Sequence, residues 1–232
     1  MRAAEEVAGL SAEPLVDLGG GADRLGGSVA AQALGEFGGT TPDLDDPGSL
    51  IRLAAALADL RERGLVSAYH DRSDGGLWAA VCEMAFAGGV GLDLEVRSVA
   101  CLFAEELGVV VAVASTEVDA ALGVLGDHGL GDSSIVVGST GAERRLRVSI
   151  DGRRPAIDEP LEDLQQAWDE VSWRIARRRD NPASADSEHA LAGHPEPVLT
   201  VRTSFDPTQD VAAPYLNLGA RPKVAILREQ GV

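Results

Sequence analysis

Ser67-Ala68-Tyr69-His70-Asp71-Arg72-Ser73-Asp74-Gly75-Gly76-Leu77-Trp78 is the stretch whose reading decides the fold. The run Ser67–His70 has strand character and delivers Asp71 to its end. A turn with two adjacent glycines follows, and from about Gly75 to Ala87 the apolar residues take a helical period. Working outward, further strand candidates are Leu15–Leu18, Gly91–Val96, Val109–Ala114, Ile135–Gly138 and Leu146–Ile150. Helical candidates lie near Gly27–Phe37, Pro47–Arg63 and Thr116–His128. Short strands alternating with helices predict a layered α/β domain with a mixed sheet, over residues 1–155. Val109–Val113 is apolar throughout, as expected of a strand covered on both faces. In the helix at 47–63 the expected buried stripe is Leu50, Leu53, Ala54, Leu57 and Leu60.

Composition narrows the function classes. Hydrophobic residues make up 45% of the 232 and aromatics 4%, so Ala, Val and Leu must build the core. A formal net charge of −17 repels a nucleic-acid duplex or an anionic membrane surface. A small anionic ligand would need a metal ion or local amide dipoles to offset that field. No stretch approaches the ~20 apolar residues of a membrane span, and the start has no secretory pattern, so the expected location is cytoplasmic. Cys82 and Cys101 lie in apolar helical contexts and read as buried, inert thiols. The four histidines are scattered without ligand spacing, so no zinc site is expected.

A different regime starts near Pro155. Glu159–Arg179 reads as one amphipathic linker helix with Leu161, Leu164, Trp168, Val171 and Ile175 on one face. Acids cluster at its start, and Arg174, Arg177, Arg178 and Arg179 at its end, which complements the helix dipole. Asn181-Pro182 stops it, and the segment from there to about Gly219 is expected to be extended and irregular. Lys223–Arg228 then forms a fresh apolar strand, read as the first strand of a further domain over 221–232.

The chemistry concentrates in Tyr69–Gly76. A helix N-terminus offers unpaired amides and a positive dipole end, which suits phosphate, and Ser73 adds a hydroxyl. Asp71 would repel a phosphate there unless Mg²⁺ bridged them, since that cation takes one or two carboxylates plus phosphate oxygens. The simpler reading is that Ser73 or Asp74 caps a core helix and His70 is a packed strand residue. A second glycine-rich stretch, Gly19–Ser28, is either a close phosphate approach or a plain turn. Glu105-Glu106, just before a buried strand, read as a solvated helix end rather than a metal site.

Ala68–Leu77 followed by Glu83-Met84-Ala85-Phe86-Ala87-Gly88 resembles phosphoribosylformylglycinamidine synthase of the large, single-chain type. So do Glu105-Glu106-Leu107-Gly108, Arg179-Asp180-Asn181-Pro182, Ser204-Phe205-Asp206 and Asp210–Tyr215. Gly219–Val232 looks like the opening of that family's class I glutaminase domain, and the resemblance runs in order from about residue 14. It implies an aminoimidazole ribonucleotide synthetase C-terminal-domain-like fold. It also implies a part in the ATP- and glutamine-dependent conversion of formylglycinamide ribonucleotide to formylglycinamidine ribonucleotide. Asp71 matches a Mg²⁺ ligand and Ser73 a nucleotide contact of the family's auxiliary, structural ATP/ADP site. The partners implied are the nucleotide and the remaining domains of the same polypeptide. The glutaminase nucleophile and the substrate-activating domain match nothing here, so the chain alone is expected to be inactive. The alternative is a stand-alone Mg-nucleotide-binding or regulatory module of the same superfamily.

Overall fold

Short apolar runs bounded by Gly, Asp and Ser become the strands of one seven-stranded sheet. The computed structural model describes residues 11–141, 143–152, 156–195, 202–206, 208–216, 219 and 223–225. The strands are β1 (Ser11–Asp17), β2 (Ala68–Asp71), β3 (Gly91–Val96), β4 (Gly108–Ala114), β5 (Ser134–Gly141), β6 (Arg145–Ile150) and β7 (Ile157–Pro160). The helices are α1 (Val29–Ala33), α2 (Pro47–Glu62), α3 (Gly76–Gly88), α4 (Val99–Phe103), α5 (Val118–Asp127), α6 (Leu161–Arg179) and α7 (Pro182–His189). The strand order is β2-β4-β1-β5-β3-β6-β7. Only β3 and β6 run parallel; the other pairs are antiparallel, so the sheet is mixed and the fold is layered α/β.

Side chains alternate across a strand, so neighbours in sequence feed two different cores. Leu15 and Val110 join the core under α3, α4 and the start of α6, with Leu92, Leu94, Val137, Leu146 and Val148. Val16, Val109, Val111 and Val113 join the core under α2 and α5. β4 is therefore buried on both faces, as its unbroken apolar run requires. On the second face Asp93 and Glu95 of β3 are exposed. β2 lies at the edge of the sheet, which brings the end of the Tyr69–Gly76 motif to the molecular surface.

Pro14 stands in a strand paired on both sides, where proline cannot donate to a ladder. The register with β5 shifts between Ala12 and Pro14, and this bulge accommodates it. Both cysteines are buried, and loss of hydration pushes the Cys82 thiol up to about 12.

Several local expectations change. In α2 the buried residues are Ser49, Leu53, Ala56 and Leu60, whereas Leu50 and Ala54 face solvent. With leucine and alanine all around this helix, period alone did not fix its rotation; Ala56 joins the core with the sheet, and Ser49 is buried with its hydroxyl on the Asp46 carbonyl. The sheet also gains β7, which pairs with β6, and the segment after Asn181 begins with α7 rather than irregular chain. The Asn181 side chain accepts the amides of Ala183 and Ser184, so Asn181-Pro182 ends one helix and caps the next.

α6 packs through Leu161 and Leu164 on the first core. Its ends carry Glu162 and Asp163 at the start and Arg177, Arg178 and Arg179 at the finish. Further along the expected face, Trp168, Val171 and Ile175 are 59%, 67% and 58% exposed. The chain divides into two units, Met1–Glu196 and Pro197–Val232. In the second, Asp206 accepts the amide of Thr208, and Asp210 accepts those of Ala212 and Ala213 at a short 3-10 turn. Lys223–Ala225 are exposed and in no strand among the described residues, and the rest of the expected strand at 223–228 lies outside them.

One buried group sets a pH signature. Glu13 is 2% exposed; its Oε1 accepts from the Ser11 hydroxyl at 3.1 Å, while its Oε2 has no partner. Burial, only partly countered by that bond, pushes its carboxyl up to about 7 from 4.5. The folded state thus holds this proton more tightly than the unfolded chain. The contribution of this group to stability is greatest below 4.5 and is lost as pH rises through about 7. Glu13→Gln should be more stable than the parent at pH 8 by up to ~3 kcal/mol, with the gap closing near pH 4.5. Denaturant midpoints measured across that range check it.

Candidate nucleotide site

The turn after β2 alternates in exposure: Asp71 is exposed, Arg72 is buried, and Ser73 and Asp74 are exposed. Arg72 is the anchor. Its Nε donates to the carbonyl of Glu106 at 2.6 Å, and its Nη2 to Asp17 Oδ1 at 2.6 Å and to the carbonyl of Leu107 at 3.3 Å. Its own amide donates to the carbonyl of Gly108. Nη1 is buried without a partner.

Asp17, at the end of β1, is 5% exposed. Burial by itself would raise its pKa, but the Arg72 charge, the hydrogen bond from it and the amides of Gly19 and Gly21 together hold the carboxyl below its usual range. The contribution of this pair is present above 3.8 and is lost as pH falls through the depressed folded value.

The Gly19–Ser28 loop is a turn. The amides of Gly19 and Gly21 each donate to the Asp17 carboxylate at 3.0 Å, that of Gly20 to the Asp17 carbonyl, and that of Ala22 to the Gly19 carbonyl. The Asp17 carboxylate thus occupies the amides of Gly19 and Gly21. Gly19 is required because a Cβ there would lie 2.5 Å from Glu106 Oε2.

Glu106 overturns the expectation of a solvated helix end. It is fully buried and takes three bonds from Arg24: backbone amide and Nε on Oε1, and Nη2 on Oε2 at 2.7 Å. Its neighbour Glu105 is half-buried, and its Oε1 accepts the amides of Val29 at 2.8 Å and Gly75 at 2.9 Å.

Neither Ser73 nor Asp74 caps α3. The N-cap is Gly75, at φ 81°, with no side-chain cap bond, and Ser73 contributes only its carbonyl, to the amide of Gly76. Gly76 also has positive φ, and a Cβ there would lie 2.8 Å from the carbonyl oxygens of Leu102 and Ala104. The glycine pair thus seats the helix start against the turn after α4. Ser73 and Asp71 are left solvent-facing on either side of the anchored Arg72. His70 is half-buried, with Nε2 2.9 Å from Glu83 Oε2 and Nδ1 2.7 Å from the Asp71 carbonyl.

Asp17, Arg24, Arg72 and Glu106 were missed as a group by sequence reasoning. The available signal was an acid inside the apolar run Leu15–Leu18, which burial obliges to find a partner. Among the described residues no cluster of three or more His, Cys, Asp or Glu side chains could hold a metal ion.

A cleft of about 370 Å³ lies elsewhere, between α6 and α7, lined by Trp168, Trp173, Asp169 and His189 among others. There the Trp173 and His189 rings stack at 4.3 Å, Asp169 holds His189 at 2.7 Å, and Trp173 donates to Asp186. These contacts clasp the two helices together. No described helix is long and apolar enough to cross a membrane.

A mixed sheet flanked by helices, with a glycine-paired strand–turn–helix at its edge, defines a class. The chain belongs to the family described as AIR synthase related protein, C-terminal domain, whose model matches residues 14–151. Among solved structures it is similar to Thermotoga maritima PurL complexed with ATP. That match has 18% identity, 67% of this chain and 26% of that one covered, and a TM-score of 0.53. The same protein complexed with FGAR matches at 18% identity over 68% and 28%, with a TM-score of 0.53. Phosphoribosylformylglycinamidine synthase II from Thermotoga maritima matches at 17% over 67% and 26%, with a TM-score of 0.52. At these identities the likeness is one of fold. The chain spans about a quarter of the length of these structures.

If the buried pair anchors the loop, Arg72→Met should destabilise the protein by about 3–5 kcal/mol, because Asp17 stays buried and uncompensated. The exposed Asp71→Ala should cost less than ~1 kcal/mol. Urea unfolding of the two variants at neutral pH checks the contrast.

Proposed function

We propose that the chain is the C-terminal synthetase segment of a large, single-chain phosphoribosylformylglycinamidine synthase, and that its β2–α3 loop binds a Mg-nucleotide. Asp71 would hold the cation and Ser73 the nucleotide, with the N-terminal end of α3 adding its dipole. The observation carrying this reading is the exposed Asp71–Ser73 pair on a loop pinned by a buried ion pair, directly before a helix start. The family match and the ordered motifs from Ala68 to Val232 support it, as does the ATP bound by a solved relative of the same fold.

In the whole enzyme the reaction is the ATP- and glutamine-dependent conversion of formylglycinamide ribonucleotide to formylglycinamidine ribonucleotide. Mg²⁺, when bound, supplies charge neutralisation between the carboxylate and the phosphates. This chain's own part is to fix the loop, present one carboxylate and one hydroxyl, and pair the buried acids Asp17 and Glu106 internally. Glu106 is neutralised by Arg24, and Asp17 by Arg72, so neither competes with the cation or repels the phosphates at full charge. The remaining domains of the polypeptide would complete the site, in the cytoplasm. The chain by itself would have neither synthase nor glutaminase activity.

Isothermal titration of the chain with ADP in Mg²⁺ and in EDTA tests the site. Binding should weaken in EDTA. Asp71→Asn should abolish that Mg²⁺ dependence and weaken Mg-ADP by about tenfold, roughly 1.4 kcal/mol, with thermal stability unchanged. A folded chain that binds Mg-ADP equally well with and without Asp71 would refute the assignment.

A further inference from the structure

Glu105 does something its neighbour does not. Glu106 is used up inside the molecule by Arg24. The Glu105 Oε1 instead reaches two elements far apart in sequence, accepting the amide of Val29, the first residue of α1, and the amide of Gly75, the N-cap of α3. α3 has no side-chain cap of its own, because its N-cap is a glycine and Ser73 and Asp74 do not fold back. α1 has a local cap in Ser28, but that hydroxyl serves Ala31, and Val29 is left to Glu105. One carboxylate from a third segment therefore completes two helix starts at once, where negative charge is favoured by both sets of backbone dipoles.

Its position singles out what it controls. Arg72 ties the beginning of the β2–α3 turn to the core, and Gly76 seats the end against Leu102 and Ala104. Between those anchors the amide of Gly75 is held by Glu105, and the exposed Ser73 and Asp74 hang from that short span. The same oxygen holds the loop that leads from Arg24 through Ser28 into α1. Loss of the bond at one end frees the carboxylate to move away from the other, so order in the two loops is shared.

We propose that Glu105 is a positioning residue for the Asp71–Ser73 nucleotide loop, coupling that loop to the start of α1 so that the two are ordered together. This rests on the reading of the β2–α3 loop as a Mg-nucleotide site. Glu105 itself would touch no ligand; it would act through the amide of Gly75.

Three versions of the full chain test this: parent, Glu105→Ala and Glu105→Gln, the last keeping an accepting oxygen without the charge. Each is followed by amide hydrogen exchange and by Mg-ADP titration. In Glu105→Ala, exchange should accelerate together at Val29 and at Arg72–Gly76, with the cores under α3 and α5 unchanged. Mg-ADP should bind about tenfold more weakly, as expected for losing bonds to a charged acceptor. Glu105→Gln should restore both readouts most of the way. Acceleration at one loop alone, or at neither, overturns the coupling. A Glu105→Ala chain that loosens both loops yet binds Mg-ADP like the parent overturns the positioning role. Should the parent bind no Mg-ADP, the nucleotide reading fails while the exchange data still decide the coupling.

Discussion

The buried guanidinium of Arg72 is the constraint on which the rest of the edge depends. It joins the end of β1, through Asp17, to the turn entering β4, through the carbonyls of Glu106 and Leu107. In an extended chain neighbouring residues face opposite ways, so driving Arg72 inward drives Asp71 and Ser73 outward. The same residue thus anchors the loop and presents its chemistry. A buried pair of this kind adds little net stability by itself, because desolvation offsets attraction, but losing one partner is costly. The geometry is therefore held by a penalty for leaving it.

β1 carries two buried acids four residues apart with opposite behaviour. Asp17 is met by Arg72 and two glycine amides, so its charged form is the favoured one. Glu13, beside the bulge at Pro14, has a single serine hydroxyl for one oxygen and nothing for the other, so its neutral form is favoured. The contrast is one of partners rather than depth, since both side chains are almost wholly removed from solvent. In a chain of net charge −17, three arginines meet the acids that converge beneath the glycine-rich turn: Arg24 on Glu106, Arg72 on Asp17, Arg97 on Asp23.

α6 shows the other side of this economy. Its first turns are part of the domain core, while the same stripe grows more exposed through Trp168, Val171 and Ile175. The α7 clasp, made through Trp173, Asp186 and His189, uses a different side of that helix. Trp168 still meets α3, its ring 6.0 Å from that of Phe86 and its Nε1 donating to Glu83 at 3.0 Å, whereas Val171 and Ile175 are exposed.

The sequence alone determined the order and type of most elements, the mixed α/β class, and the loop that bears Asp71 and Ser73. These rest on short-range signals: β-branched runs, a 3.6-residue period, and glycine or proline punctuation, each readable within a dozen or so residues. β3 was read to its boundaries, and α2 and α3 to within a residue or two at each end. The tertiary structure alone decided which side chains meet. Nothing local to Glu106 announces Arg24, or to Asp17 announces Arg72, because those partners are set by which turns the sheet order brings to one edge. It likewise decided that the amides of Gly19 and Gly21 serve Asp17 rather than a phosphate, that α3 is capped by Glu105 from another segment, and that α2 turns Ser49 and Ala56 inward. A hydrophobic period reports burial averaged along an element, whereas the partner of a charge or an amide depends on distances between elements, which no single segment encodes.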